Sequence, residues 1–111
     1  MAKRKGLNKQ ELEVIKRFVN ELKKVGIKIY KVILFGSRAY GNAHEFSDID
    51  IGIVSEDFDK DPFLYKVKLR KIAVKIDPRL DPVAIPLESY LKNTWIPLIY
   101  EIRTKGKLIK I

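Results

Sequence analysis

Leu34-Phe35-Gly36-Ser37-Arg38-Ala39-Tyr40-Gly41 is followed, after five residues, by Ser47-Asp48-Ile49-Asp50-Ile51. The first stretch carries an apolar segment into a Gly-Ser turn, and the second alternates acidic and apolar side chains. A turn of this kind is suited to binding phosphate, and paired carboxylates are suited to binding a hard metal ion. Together the two stretches indicate chemistry on a nucleoside triphosphate, although neither would carry that conclusion alone.

The Gly-Ser turn offers several donors to a phosphate group. Gly36 lets the backbone approach closely because it has no Cβ, and Ser37 supplies a hydroxyl and an amide at the start of a helical turn. Arg38 adds a positive charge. The glycine spacing is neither that of a P-loop nor that of a dinucleotide-binding fold. We therefore predict that Gly36, Ser37 and Arg38 bind phosphate, while the turn by itself is more often an ordinary strand-to-helix connection.

The paired aspartates lie on a predicted strand. Side chains two residues apart on a strand share a face, so Asp48 and Asp50 would lie roughly 6–7 Å apart along it. Such carboxylates can bind one Mg²⁺ or bridge two ions. Ile49, Ile51 and Ile53 would then face the core, which fixes the register. The alternative for this pattern alone is a half-buried strand with its polar residues outward.

A site for two metal ions needs a third carboxylate, and Asp77, Asp81 and Glu88 are the candidates. Asp81 opens an apolar segment that is typical of a strand, and a strand next to Asp50 would bring it within reach. Asp77 precedes Pro78, which is more typical of the end of a helix. We predict Asp81 as the third metal ligand, with Asp77 as the alternative.

Helix and strand patterns alternate along the chain and predict a single α/β (α+β) domain over residues 1–111. Asn8 and Glu11 have the spacing of a capping box, and Asp61-Pro62 is a typical helix start. Pro82 indicates either an edge strand or the beginning of a strand. The patterns predict helices over 8–25, 62–75 and 97–105 and a short helix or turn over 37–42. They predict strands over 28–35, 50–54, 81–85 and 108–111, the second of which begins near Asp48.

A few residues outside the motif have structural interpretations. Leu98, Ile99 and Ile102 are predicted to face inward from the last helix, and Trp95 and Tyr100 to lie in the core or in an interface. His44 is predicted to face solvent. The basic residues between Lys66 and Lys75 are predicted to form a solvated helix face, which could instead meet an acidic partner or RNA.

The charge of the chain is unevenly distributed. Its net charge is +9, yet seven of its 14 acidic residues lie between Glu45 and Asp61. A basic body attracts polyanions, and an acidic patch within it suits a divalent cation that serves a phosphate substrate. A solvated surface with an acidic loop explains the charge equally well. Cysteine is absent, and no apolar run approaches the ~20 residues that span a bilayer. We expect a soluble, cytoplasmic protein with no membrane partner.

The motif residues resemble a known family. Gly36-Ser37, Gly41 and Ser47-Asp48-Ile49-Asp50 are similar to the G-S-x(n)-D-x-D motif of the DNA polymerase β-like nucleotidyltransferase superfamily. The short length and the closing Tyr100-Glu101-Ile102-Arg103-Thr104-Lys105-Gly106 resemble the minimal nucleotidyltransferase (MNT) group. The resemblance covers about Val32 to Ile109.

The resemblance implies a small mixed β-sheet flanked by helices, like the palm of polymerase β. It implies that Gly36 and Ser37 hold the triphosphate of ATP and that Asp48, Asp50 and Asp81 bind two Mg²⁺ ions. It also implies transfer of AMP to a hydroxyl with release of pyrophosphate, Asp81 helping to activate that hydroxyl.

The resemblance further implies a partner. Many MNT proteins pair with a helical HEPN-type toxin and silence it by adding AMP to a tyrosine. Several alternatives stay open: a non-catalytic antitoxin that masks its partner, a nucleotidyltransferase acting on a small molecule or RNA, and a nucleic-acid binder that uses the basic body. Nucleic acid is not the favoured partner, and a homo-oligomer also stays open.

Overall fold

The fold is seen in a computed structural model that describes residues 7–40, 47–92 and 95–110. Gly41 and His44 lie outside the described residues. The helices are α1 Lys9–Lys24, α2 Ser37–Tyr40, α3 Pro62–Ile76, α4 Leu87–Lys92 and α5 Pro97–Lys105, with a 3₁₀ helix over Glu56–Asp59. The strands are β1 Lys31–Phe35, β2 Ile49–Ser55, β3 Leu80–Pro86 and β4 Lys107–Ile109.

The described strands form one mixed sheet in the order β3-β2-β1-β4. β1 pairs antiparallel with β2 and β4, while β2 and β3 are parallel. A parallel pair needs a crossover connection, and α3 provides it. The predicted fold class, a small mixed sheet flanked by helices, is confirmed. β3 is an edge strand, one of the two alternatives that Pro82 indicated.

Helices cover both faces of the sheet. Ile49, Ile51 and Ile53 pack with residues of α1 and α3 on one face, as predicted. On the other face, Ile33, Val54 and Ile85 pack with the inward side chains of α5. The start of β2 is the exception, because Asp50 is only partly buried there.

Two helices begin where the sequence predicted. Asn8 caps α1, and its side chain and that of Glu11 form the reciprocal hydrogen bonds of a capping box, at 2.7 and 3.0 Å. Asp61 caps α3 by accepting a hydrogen bond from the Leu64 amide at 3.0 Å. No helix in the described ranges combines the length and apolar character needed to cross a membrane.

The environment of α5 differs in part from the prediction. Ile99 and Ile102 are buried, but Leu98 is 38% exposed and does not face the core. Trp95 and Tyr100 are 78% and 57% exposed, which excludes the core for both, while the alternative that they lie in an interface stays a prediction. A nine-residue helix lying on a sheet buries a narrow stripe, and Ile99 and Ile102 fill it.

A buried ion-pair network connects α1 to the ends of the sheet. Glu11 is 1% exposed, and its carboxylate accepts hydrogen bonds from the guanidinium groups of Arg38 and, at 3.3 Å, Arg79. Arg38, which is fully buried, also donates to the Ser47 carbonyl at 2.7 Å. Ser47 directly precedes Asp48. The network therefore ties the residues before β2 to the N-terminal helix.

The position of Arg38 corrects one prediction. Its side chain was predicted to bind phosphate at the surface, but it points into the protein toward Glu11. A buried guanidinium is tolerated only beside a charged partner, and the Glu11 carboxylate is that partner. The sequence pattern does not display this pairing, through which Arg38 positions the segment that leads to the aspartates.

We expect Glu11→Gln to lower the free energy of unfolding by about 3 kcal/mol, because it leaves the buried guanidinium of Arg38 without its countercharge. It also removes one of the two ion pairs of Arg79, which is partly exposed and keeps its pair with Asp77. Glutamine retains the shape of the side chain and its capping oxygen. Glu13→Gln, on the exposed face of the same helix, should change stability by less than about 0.5 kcal/mol. Urea unfolding of both variants measures the difference, and equal losses would contradict the role given to Glu11.

Candidate active site

The predicted motif residues meet at one end of the sheet, where β1 ends and β2 and β3 begin. Phe35, the last residue of β1, lies opposite Asp50 on β2. Asp50 in turn lies opposite Asp81 on β3. The sequence prediction that a neighbouring strand brings Asp81 within reach of Asp50 therefore matches the strand register. Their roles as metal ligands stay a prediction.

Gly36 fits closely against the Asp50 carboxylate. Its φ is +70°, a conformation that favours glycine. A Cβ added at Gly36 would overlap Asp50 Oδ2 and would lie 3.1 Å from Asp50 Cγ. The absence of a side chain at Gly36 thus permits the positive φ and avoids the overlap with Asp50. It also sets the Gly-Ser turn directly beside the Asp50 carboxylate. Ser37 follows as the first residue of α2 and is partly exposed.

Four carboxylates contribute to the electrostatics of the site. Burial, the negative charges of Asp81, Asp48 and Glu101, and a side-chain hydrogen bond with Asp81 together raise the pKa of Asp50 from 3.8 to about 6, and burial is the largest of these causes. Asp48 is exposed just before β2, while Glu101 reaches the site from α5. Like charges gathered in this way favour either a proton or a cation.

Asp81 already has one basic neighbour. Arg70 Nη2, on α3, lies 3.0 Å from Asp81 Oδ1, and the two side chains are 64% and 38% exposed. A pair this exposed contributes only about 0–1 kcal/mol. Arg70 can therefore leave Asp81 for another carboxylate at a small cost in free energy.

The carboxylates do not form a ready metal site in the described part of the chain, where no three acidic or imidazole groups converge closely enough to hold an ion. Asp81 is engaged with Arg70, and Asp48 lies outside the strand. The donor chemistry nevertheless suits Mg²⁺, which prefers carboxylate oxygens. The uncompensated repulsion around Asp50 is what such a cation would relieve.

The alternative third carboxylate, Asp77, belongs to a different cluster. It ends α3 and accepts hydrogen bonds from the Arg79 backbone amide at 2.8 Å and from Arg79 Nη2 at 2.9 Å. The hydrogen bond from the Arg79 side chain lowers the pKa of Asp77. The strand register therefore favours Asp81, which is paired with Asp50, over Asp77.

Three residues that shape this site could not be recognised from the sequence pattern. Glu101 and Arg70 lie on helices far along the chain from the motif, and no spacing relates them to Asp50 or Asp81. Glu11 was recognised as a capping residue, but its ion pair with Arg38 was not. Nothing in the sequence marks a glutamate that is both a cap and a buried countercharge.

A glycine turn at the end of one strand, facing carboxylates on the two next strands of a mixed sheet, defines a nucleotidyltransferase-like site. A model of the nucleotidyltransferase domain matches residues 12–109, and the chain belongs to that family. The predicted assignment to the nucleotidyltransferases is thereby confirmed at the level of the family. Membership of the MNT group paired with HEPN proteins stays a prediction.

Individual relatives agree with this family. A Methanocaldococcus jannaschii protein named as a candidate protein adenylyltransferase is 57% identical over 51 residues, which are 44% of this chain and 51% of that protein. The match thus spans about half the length of the curated relative. The crystal structure of a candidate nucleotidyltransferase from Sulfolobus solfataricus superposes with a TM-score of 0.62 at 21% identity, over 87% of this chain and 77% of that chain.

A second crystal structure is that of a toxin–antitoxin with AMP-PNP. It gives a TM-score of 0.60 at 26% identity and covers 87% of this chain and 70% of the chain matched. The four-stranded sheet flanked by helices is therefore shared with solved proteins of this class.

We expect Gly36→Ala to destabilise the protein more than Gly26→Ala. Both glycines have positive φ, at +70° and +89°, so both variants carry a backbone cost of about 1 kcal/mol. Only at Gly36 would the new methyl group overlap a side chain, that of Asp50, since nothing lies within 4 Å at Gly26. Urea unfolding measures both losses. Equal losses would show that the contact with Asp50 imposes no constraint.

The pKa of Asp50 predicts a pH-dependent gain in stability for Asp50→Asn. The native pKa of about 6 exceeds the reference value of 3.8, so ionising Asp50 between these pH values costs stability. In buffer with a chelator, we expect the variant to be more stable than wild type above pH 6 by about 1 kcal/mol, allowing for screening of a partly exposed group. The difference should vanish near pH 4.

Asp77→Asn provides a control of opposite sign. Because the pKa of Asp77 is lowered in the folded protein, its ionised form contributes stability above the unfolded pKa, and this contribution is lost as the pH falls through the folded value. The variant should be less stable than wild type at pH 7. Thermal unfolding across pH measures both variants, and parallel curves for the two would contradict the assignments.

Proposed function

We propose that this protein transfers AMP from ATP to a hydroxyl group, in an Mg²⁺-dependent reaction, and that the acceptor is a tyrosine of a HEPN-type toxin protein. The chain would then be the antitoxin of a HEPN/MNT pair and would act in the cytoplasm, where ATP is available. The observation that carries the proposal is the contact between Gly36 and Asp50, with Asp81 in register on the next strand.

We assign binding of the nucleotide to the Gly-Ser turn. Gly36 leaves room for a phosphate close to the backbone, and Ser37 offers a hydroxyl and an amide to phosphate oxygens. Arg38 acts indirectly, because its guanidinium holds the Ser47 carbonyl next to Asp48. The triphosphate would therefore lie between the turn and the aspartates.

Asp48, Asp50 and Asp81 are the residues that would hold the two metal ions. Bound Mg²⁺ supplies positive charge that neutralises the triphosphate and favours ionisation of the acceptor hydroxyl. The chain's own contribution is positioning, since the register that pairs Asp50 with Asp81 sets the spacing of the carboxylates.

The transfer forms one bond and breaks one. The acceptor oxygen attacks the α-phosphorus of ATP, the bond between the α-phosphorus and the bridging oxygen to the β-phosphate breaks, and pyrophosphate leaves. The hydroxyl proton passes to a base, for which Asp81 is placed at the exposed edge of the sheet. A protein acceptor can reach that edge from solvent.

The relatives support a protein acceptor and a toxin partner. One carries the name of a candidate protein adenylyltransferase, and another is part of a toxin–antitoxin crystal structure with AMP-PNP. A related possibility is that this chain neutralises a toxin by binding alone, which the same structure would also suit. A small molecule or RNA as acceptor is the remaining alternative.

Incubation with α-labelled ATP, Mg²⁺ and the protein encoded by the neighbouring gene tests the proposal. We expect label on a tyrosine of that protein. Labelling should fall at least about 100-fold in Asp48→Asn/Asp50→Asn, because charge stabilisation of the transition state is lost, and it should cease with EDTA. The matched control Glu13→Gln/Glu21→Gln changes charge on α1 and should label normally.

Toxicity assays separate catalysis from masking. If Asp48→Asn/Asp50→Asn still neutralises a co-expressed toxin as well as wild type does, masking replaces transfer as the function. Label on RNA or on a small molecule, with none on protein, would identify a different acceptor.

A further inference from the structure

The outer face of α3 carries an exposed apolar stripe. Phe63, Val67 and Val74 are 74%, 36% and 60% exposed. With Arg70 they follow a spacing of four, three and four residues, which keeps them on one face of a helix. Leu69 and Ala73, on the side of the helix next to this stripe, are buried. Contiguous exposed apolar side chains of this kind commonly mark an interaction site.

This stripe forms one wall of a groove of about 360 Å³. Leu80, at the start of β3 and 5% exposed, lies at the other side of the groove together with Pro78. The basic residues Lys66, Arg70 and Lys71 also line it. None of its lining residues, all of which belong to the described ranges, is acidic.

The groove adjoins the candidate active site through Arg70. The same guanidinium that lines the groove lies 3.0 Å from Asp81. A partner carboxylate in the groove could take over Arg70, since the exposed pair with Asp81 contributes little. Asp81 would then be released for its role beside the acceptor hydroxyl.

We propose that this groove docks the protein acceptor, through a segment of apolar side chains flanked by carboxylates, and holds the target hydroxyl near Asp81. The proposal rests on the proposed function for the identity of the acceptor. Charge complementarity supports it, because the three basic residues that line the groove lie beside its apolar side chains. A second copy of this chain is disfavoured by its own net charge of +9, and the apolar wall does not suit a nucleic-acid backbone.

Two synthetic peptides test the groove without any nucleotide. Both carry a tyrosine and the same leucines and phenylalanines; one has Asp and Glu around them, and the other has Lys at each acidic position. We expect the acidic peptide to bind at least about tenfold more tightly in fluorescence anisotropy. Equal affinities would overturn the proposal.

Variants assign binding to the groove. Phe63→Ser/Val74→Ser should weaken binding of the acidic peptide at least about tenfold, because it removes the apolar contact area. Lys66→Glu/Lys71→Glu should abolish the preference between the peptides. Lys16→Glu/Lys23→Glu makes the same charge change on exposed positions of α1 and should leave the preference intact. Equal effects of the two charge-reversal pairs would reduce the result to net charge and overturn the assignment.

Four further outcomes would assign the groove to another ligand or separate the two proposals. Competition by single-stranded RNA with a steep salt dependence would assign the groove to nucleic acid. A dimer in sedimentation that Phe63→Ser/Val74→Ser dissociates would assign it to a second copy. Peptide binding as expected, with no AMP transfer to any acceptor, would leave the groove in place and refute the proposed function. AMP transfer without a preference for the acidic peptide would support the proposed function and refute the groove as the docking site.

Discussion

The buried carboxylate of Glu11 is the interaction on which the candidate site depends. It completes the capping box of α1 and forms ion pairs with Arg38 and Arg79, which belong to the segments before β2 and β3. The Ile49 amide also donates to the Arg79 carbonyl at 2.7 Å, so these two segments are joined directly. The starts of both strands, which carry Asp50 and Asp81, are therefore held by one cluster of charges.

Around Asp50, by contrast, the fold leaves electrostatic repulsion between carboxylates in place. Asp50 lies among three other carboxylates, and burial together with these neighbours raises its pKa to about 6. At a position with a purely structural role, a neutral residue would serve better, because an ionised carboxylate here lowers the stability of the fold. Retained strain of this kind is typical of functional positions. A divalent cation bound among these carboxylates would relieve the repulsion.

Much of the local structure could be predicted from the sequence. The capping box at Asn8 and the Asp61-Pro62 start are short-range patterns whose hydrogen bonds involve residues three apart, so the chain itself displays them. The alternation at Ile49, Ile51 and Ile53 likewise fixes which face of β2 is buried. Leu98 was misplaced because its burial depends on how α5 lies on the sheet, and local spacing does not specify that angle.

By itself, the sequence determined the turn and the pair of acids, since Gly36, Ser37, Asp48 and Asp50 lie within one short segment and carry a recognisable spacing. The tertiary structure decided which partners complete them. It paired Asp81 with Asp50 through a parallel register, drew Glu101 and Arg70 to the same place, and turned Arg38 inward. These contacts join residues that are far apart along the chain, and they follow from burial of charge and strand pairing, which only the folded chain specifies.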